Sequence, residues 1–173
     1  MSQKGESHVS TERKDVISVI LTPQTYLPWN KEAILVCRKL YGRLADVLAT
    51  GKPYKIPAPA EKDYLPELQP GEPPLSQSQK DKLFERAYER YYAKLDKLAE
   101  QKPLMYFTLL ASFGTESKTI ISQSANYLID CEQNRDSDEL AIIVRKTHYT
   151  EVCGDNPLRK YNSRAKKEMK FGL

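Results

Sequence analysis

PWNKEAILVCRKLYGRLADVLATGKP, residues 28–53, is the stretch that decides the fold class. Within it Ala33, Cys37, Leu40, Tyr41, Leu44, Val47 and Leu48 recur every three or four residues, which gathers them on one side of an α-helix. Asn30 supplies an N-cap side chain, and Glu32 places a negative charge in the first turn, where the helix dipole favours it. Gly51 and Pro53 stop the pattern. The spacing predicts a helix over 30–50.

Upstream, Val16-Ile17-Ser18-Val19-Ile20-Leu21 is a short apolar run suited to an extended piece laid on a core, and Thr22-Pro23 ends it. Residues 1–14 have almost nothing to bury and read as a disordered arm. Downstream, Pro53, Pro57, Pro59, Pro66, Pro70, Pro73 and Pro74 crowd residues 52–75, a density expected to exclude regular elements and leave a proline-rich loop. Tyr54, Ile56, Tyr64 and Leu65 are the residues able to pin that strap onto helices, and a flexible exposed loop fits the sequence equally well.

Ser76 or Ser78 opens a second helix with a stripe of Leu83, Phe84, Ala87, Tyr88, Tyr91, Leu95 and Leu98, Tyr92 lying at its edge. At this spacing core packing outweighs base stacking as the reason for four aromatics. Pro103 suits the first position of a third helix, 104–113, ended by Gly114. A fourth, 117–131, would bury Ile121, Ala125 and Leu128. Asp136 caps a fifth, carrying Leu140, Ile143 and Val144, with His148 and Tyr149 at its end. Asn156-Pro157 opens a sixth, 156–173, along Leu158, Tyr161, Ala165 and Met169. The expected fold is all-α, a compact bundle of about six helices, forming one domain over 15–173.

At 173 residues one domain is the natural size, and no apolar run reaches the roughly 20 residues of a membrane-spanning helix. The first residues lack an apolar leader, so an intracellular protein is expected. Cys37, Cys131 and Cys153 are odd in number and widely spaced, which favours free buried thiols over a metal site. Neither a phosphate loop, a dinucleotide turn nor a nucleophile elbow is present; Gly51-Lys52 runs into Pro53, which lacks the N–H an anion cradle needs. Histidine occurs only at His8 and His148, and the carboxylates sit in charged surface patterns such as Glu85-Arg86. The expectation is therefore no enzyme, no cofactor and no metal, and a protein that works by binding and self-assembly.

Net charge is +4. Its distribution says more than its size, because Pro157 to Leu173 holds six Lys or Arg against the single acid Glu168. Arg159, Lys160, Arg164, Lys166, Lys167 and Lys170 are the candidate nucleic-acid-binding residues, each able to neutralise a phosphate. An exposed solubilising face explains the same charges equally well.

Leu21, Thr25-Tyr26-Leu27-Pro28-Trp29 and the helix from Ile34 to Leu48 follow the order of a short apolar segment, a Tyr-x-x-Trp motif and a Leu-rich helix. In this the chain resembles the Gag polypeptide of copia-type LTR retrotransposons. Tyr41-Gly42-Arg43-Leu44, Thr50-Gly51-Lys52-Pro53-Tyr54, the run from Asp138-Glu139-Leu140 to His148-Tyr149, and the basic helix finishing at Met169-Lys170-Phe171 are similar to segments of that family. Ile142 stands where the family usually has Trp, and the proline strap is longer than usual. A second capsid lobe, a zinc knuckle and an Asp-Ser-Gly protease motif are missing. The resemblance implies the N-terminal lobe of a capsid, which self-associates into cytoplasmic virus-like particles packaging RNA, with itself and RNA as partners and no membrane or small-molecule substrate. Tyr26, Trp29, Leu40, Leu44, Tyr88 and Leu95 are the expected structural core. The rival reading is a helical nucleic-acid-binding or adaptor module that works through the basic C-terminal helix.

Overall fold

The structure, a computed structural model, describes residues 15–149. It is all-α: six α-helices run α1 Tyr26–Tyr41, α2 Asp46–Thr50, α3 Glu61–Tyr64, α4 Gln77–Leu110, α5 Thr115–Ser122 and α6 Ser137–Val144. A 3₁₀ turn, Gly42–Ala45, joins α1 to α2, and π-helical turns occupy Tyr127–Gln133 and Arg145–Tyr149. The all-α expectation holds among the described residues, but the division of the chain differs at several points. The sixth helix expected over 156–173, the arm 1–14, His8 and Cys153 all lie outside the described residues.

The first helix begins four residues earlier than expected, at Tyr26 after the N-cap Thr25. Asn30 is therefore inside the helix and caps nothing. Pro28 misled because proline is tolerated anywhere in the first turn, where an N–H has no partner in the helix anyway. Glu32 leaves the first turn as well: its carboxylate accepts hydrogen bonds from the Ser18 N–H (2.8 Å), the Ser18 hydroxyl (2.6 Å) and the Val19 N–H (3.0 Å), tying the extended N-terminal segment to α1. The apolar periodicity also ran through a break. Gly42 adopts φ +59°, a left-handed conformation that ends α1 and is cheap only for glycine. Gly51, at φ +73°, ends α2 as expected.

Expected helices two and three are one. Ser76 caps α4 in a reciprocal box, its Oγ accepting from the Gln79 N–H (3.3 Å) while the Gln79 side chain accepts from the Ser76 N–H (3.0 Å). The helix continues for 34 residues, about 50 Å, straight through Pro103. An interior proline orphans the carbonyl four residues earlier, here on Ala99, and Ala99 is exposed, so water can satisfy it. The fourth helix stops at Ser122, short of the expected Cys131, and Leu128 is exposed rather than buried. Asp136 caps α6, accepting from the Asp138 and Glu139 N–H groups at 2.9 and 3.4 Å. Inside the proline strap one helical turn survives, α3, where Asp63 accepts from the Ala60 N–H (2.8 Å).

The core gathers at one end of α4. Trp29, Tyr26, Leu44, Val47, Met105, Leu109, Ile121 and Leu140 are all buried. Trp29 packs between Tyr26 and Phe113, with ring centroids 6.2 and 5.9 Å away, and its indole N–H donates to the Ser112 hydroxyl at 2.8 Å. Ser112 in turn donates to the Leu109 carbonyl (2.7 Å), so the one polar atom Trp29 brings inside is satisfied. Leu21 runs parallel to Phe113: its N–H reaches the Ser112 carbonyl (2.7 Å), and its carbonyl accepts from the Gly114 N–H (2.9 Å).

Candidate functional site

Away from that core, α4 is nearly bare. None of its residues from 77 to 104 is fully buried, although Leu83, Ala87, Tyr88, Tyr91, Leu95 and Leu98 are half-covered. Turning 100° per residue gives the exposed length two adjoining faces. Leu83, Ala87, Arg90, Tyr91, Lys94, Lys97, Leu98 and Gln101 share the face that meets the strap and α1. Phe84, Tyr88 and Tyr92 follow one another at i, i+4 as an aromatic row beside it; the first two rings lie 4.3 Å apart and the next pair 6.1 Å. Phe84 and Tyr92 remain 45% and 57% exposed, and Tyr64 of the strap meets the row's first ring edge-on at 6.0 Å.

On the strap face lie two adjoining clefts that share Ile56, Pro57 and Lys94. The larger, about 570 Å³, opens between the C-terminal half of α1, the start of the strap and the middle of α4. Arg38, Lys39, Arg43, Lys94 and Lys97 line it together with Tyr41 and Tyr54. Arg43 stacks over Tyr54 at 4.5 Å from the ring centre and is held from the other side by Asp46 at 3.2 Å. Asp46 also reaches Arg38 (3.8 Å), and Asp15 pairs with Lys39 (2.6 Å). Among the described residues Lys94 and Lys97 have no ion-pair partner.

A serine and a histidine also meet, a pairing that invites an enzymatic reading. Ser117 Oγ lies 2.8 Å from His148 Nε2, and Thr147 Oγ1 lies 2.7 Å from His148 Nδ1. The third group is a hydroxyl where an orienting carboxylate would be wanted, and Ser117 and His148 are 0% and 1% exposed. Neither residue lines the clefts above, so the trio reads as a buried clasp between α5 and the last π turn. Burial pushes the Cys37 thiol up to about 12; burial, then the carboxylates of Glu139, Asp136 and Asp130, do the same to Cys131. Thiols held this far from ionisation are poor nucleophiles. No cluster of metal-ligating side chains occurs among the described residues, and no described helix is long and apolar enough to cross a membrane.

Of the residues expected to form the core, Tyr26, Trp29 and Leu44 are buried and Leu40 is half-buried against them. Tyr88 and Leu95 are placed differently: both are half-exposed on the bare length of α4, outside the core. The expected nucleic-acid-binding residues, Arg159, Lys160, Arg164, Lys166, Lys167 and Lys170, lie outside the described residues. The basic cleft was not expected at all. Its signal was present in sequence as the polar sides of two helices, Arg38, Lys39 and Arg43 on one and Lys94 and Lys97 on the other, but nothing local says that those sides meet. No protein-family model matches the chain, and neither a characterised protein nor a solved structure does.

Proposed function

We propose that this chain is a structural, non-enzymatic domain of the Gag-like capsid type, which self-associates in the cytoplasm into particles that package RNA. The observation that carries the self-association is the aromatic row of α4. A water-exposed helix about 40 Å long that presents Phe84, Tyr88 and Tyr92 in line keeps apolar area in solvent which a partner would remove. A second copy suits it electrostatically, because Lys80, Lys82, Arg86 and Arg90 alternate with Asp81, Glu85 and Glu89, so an identical helix laid alongside meets both signs. The buried core at the other end of α4 supplies the rigid base that a repeating assembly needs. The Tyr-x-x-Trp segment carries the family likeness, with Tyr26 and Trp29 both inside the core.

Light scattering coupled to size exclusion, run over protein concentration, with negative-stain imaging, tests this reading. Wild type should form concentration-dependent oligomers, and Phe84→Asp with Tyr92→Asp, both at exposed positions, should return it to a monomer with an unchanged helical spectrum. A wild type that stays monomeric at every concentration, with or without RNA, would sink it.

A further inference from the structure

We infer that the larger basic cleft between α1, the strap and α4 binds a single-stranded nucleic acid. The site does not include the aromatic row, and rests neither on that row nor on the C-terminal basic residues. Five cations converge on it from parts of the chain far apart in sequence: Arg38 and Lys39 of α1, Arg43 of the 3₁₀ turn that follows, and Lys94 and Lys97 of α4. Their ion-pair partners are two carboxylates, Asp46 and Asp15, so five against two leaves three positive charges in an open cleft. Lys94 and Lys97, three apart, rise from the same face of α4 with exposed side chains, facing Arg38, Lys39 and Arg43 across the opening. A backbone of phosphates threading between two cationic walls would neutralise charges on both sides.

Aromatic lining favours a nucleic acid over other anions. Tyr41 and Tyr54 stand among the cations, and Arg43 already lies over the Tyr54 ring, a platform to which a base can add. Tyr41 is fixed by its hydroxyl, which lies 2.6 Å from Thr108 Oγ1, so its ring is set in place before a ligand arrives. An acidic peptide or a compact polyphosphate would use the cations and bring no flat base to the tyrosine rings. Single strands suit the geometry because their bases are free to turn onto the tyrosines while the phosphates track the lysines.

The test is fluorescence anisotropy of the full chain with a short fluorescein-labelled oligouridine, titrated over salt concentration. Lys94→Gln with Lys97→Gln should weaken binding about tenfold and flatten the log–log salt slope by about 1.4, two phosphates at ~0.7 each. Tyr54→Leu, which keeps an apolar anchor in the strap, should weaken binding with the slope unchanged. Arg164→Gln, Lys166→Gln and Lys167→Gln together give the contribution of the C-terminal segment. Ultraviolet crosslinking of 4-thiouridine-substituted oligonucleotide should mark peptides containing Tyr41, Tyr54 or Lys94. Cleft variants that bind as wild type does, or crosslinks confined to residues 157–173, would overturn the inference. Equal competition by polyglutamate or by inorganic tripolyphosphate would overturn it too, by showing a general anion site. Loss of self-association in the Phe84→Asp and Tyr92→Asp protein leaves these readouts intact, so the two proposals fail separately.

Discussion

The two ends of α4 carry the same kind of apolar stripe and meet opposite fates. From Met105 onward, Met105, Tyr106 and Leu109 are buried where α4 packs on α1 and α6, while from Gln77 to Leu104 the stripe is only half-covered, by the proline strap and, at Leu98, by the edge of the core. Helical periodicity states which residues face one way; it does not state whether anything stands opposite. Each apolar side chain enclosed at the core end contributes about 1.5–3 kcal/mol relative to exposure. The half-covered residues of the other end contribute a fraction of that, and the withheld part remains available to a partner. The molecule is thus a folding end and a presenting end on one helix.

The comparison is broken most directly at Trp29. Trp29→Ala removes the largest fully buried side chain and leaves Ser112 without its indole donor, so a loss of about 3–5 kcal/mol is expected, lowering Tm by on the order of 10 °C. Thermal and urea unfolding followed by circular dichroism measure it. A melting shift within a degree of wild type would mean that this end is no better enclosed than the other.

Gly114→Ala comes next. A Cβ at Gly114 would sit 2.9 Å from the Leu21 carbonyl oxygen, too close to that backbone atom, which also accepts the Gly114 N–H. Either the N-terminal segment moves off Phe113 or α5 shifts, and overpacking of this sort costs about 1–3 kcal/mol. The readout that separates it from a general loss is amide exchange: Leu21 should lose protection before α6 does.

How much of this was legible in sequence follows from which signals are local. Some caps and stops were: Asp136 and Gly51 act within a few residues, and Ser76 was one of two candidates for the start of α4, whereas Asn30 caps nothing and the faces carrying Leu128, Tyr88 and Leu95 do not reach the core. Prolines were not, since Pro28 and Pro103 are each compatible with two placements, and the choice depends on whether water reaches the orphaned carbonyl or N–H. Gly42 was hidden inside an apolar repeat that continues on both sides of the break. The Ser112 partner of Trp29 is 83 positions away; that a buried indole needs an acceptor was knowable, but which residue supplies it was not. The basic cleft was illegible for the same reason, being made where the polar sides of two distant helices converge.

Asp138 sharpens the comparison through pH. It is buried at the core end, 3.2 Å from Lys102 of α4, and its second carboxylate oxygen, Oδ1, has no partner among the described residues. Burial, with Asp136 adding to it, raises its carboxyl above the ordinary 3.8, against the opposing pull of Lys102. A raised folded pKa means that its contribution to stability is full below the unfolded value and is lost as pH rises through the folded one. Relative to Asp138→Asn, the wild type should therefore be at its best in acid and lose ground as pH climbs toward neutrality. Urea midpoints of the pair across pH check the sign. A wild type that gains on the variant with rising pH would show that Lys102 outweighs burial.

The smallest expected effect on stability is at the presenting end. Phe84 is 45% exposed and touches Tyr88 and Tyr64, so Phe84→Ala removes area that was largely in water already, and no cavity forms. A cost within about 0.5 kcal/mol is expected, despite the same substitution in a core costing roughly 3–5. Self-association should respond the other way round, falling several-fold, because the apolar area Phe84 keeps in solvent is the area a second copy would cover. Sedimentation equilibrium and urea unfolding on the same sample compare the two directly. If Phe84→Ala instead unfolds the protein while leaving its association constant alone, then the strap and the aromatic row form a second core, and the division of α4 into a folding end and a presenting end fails.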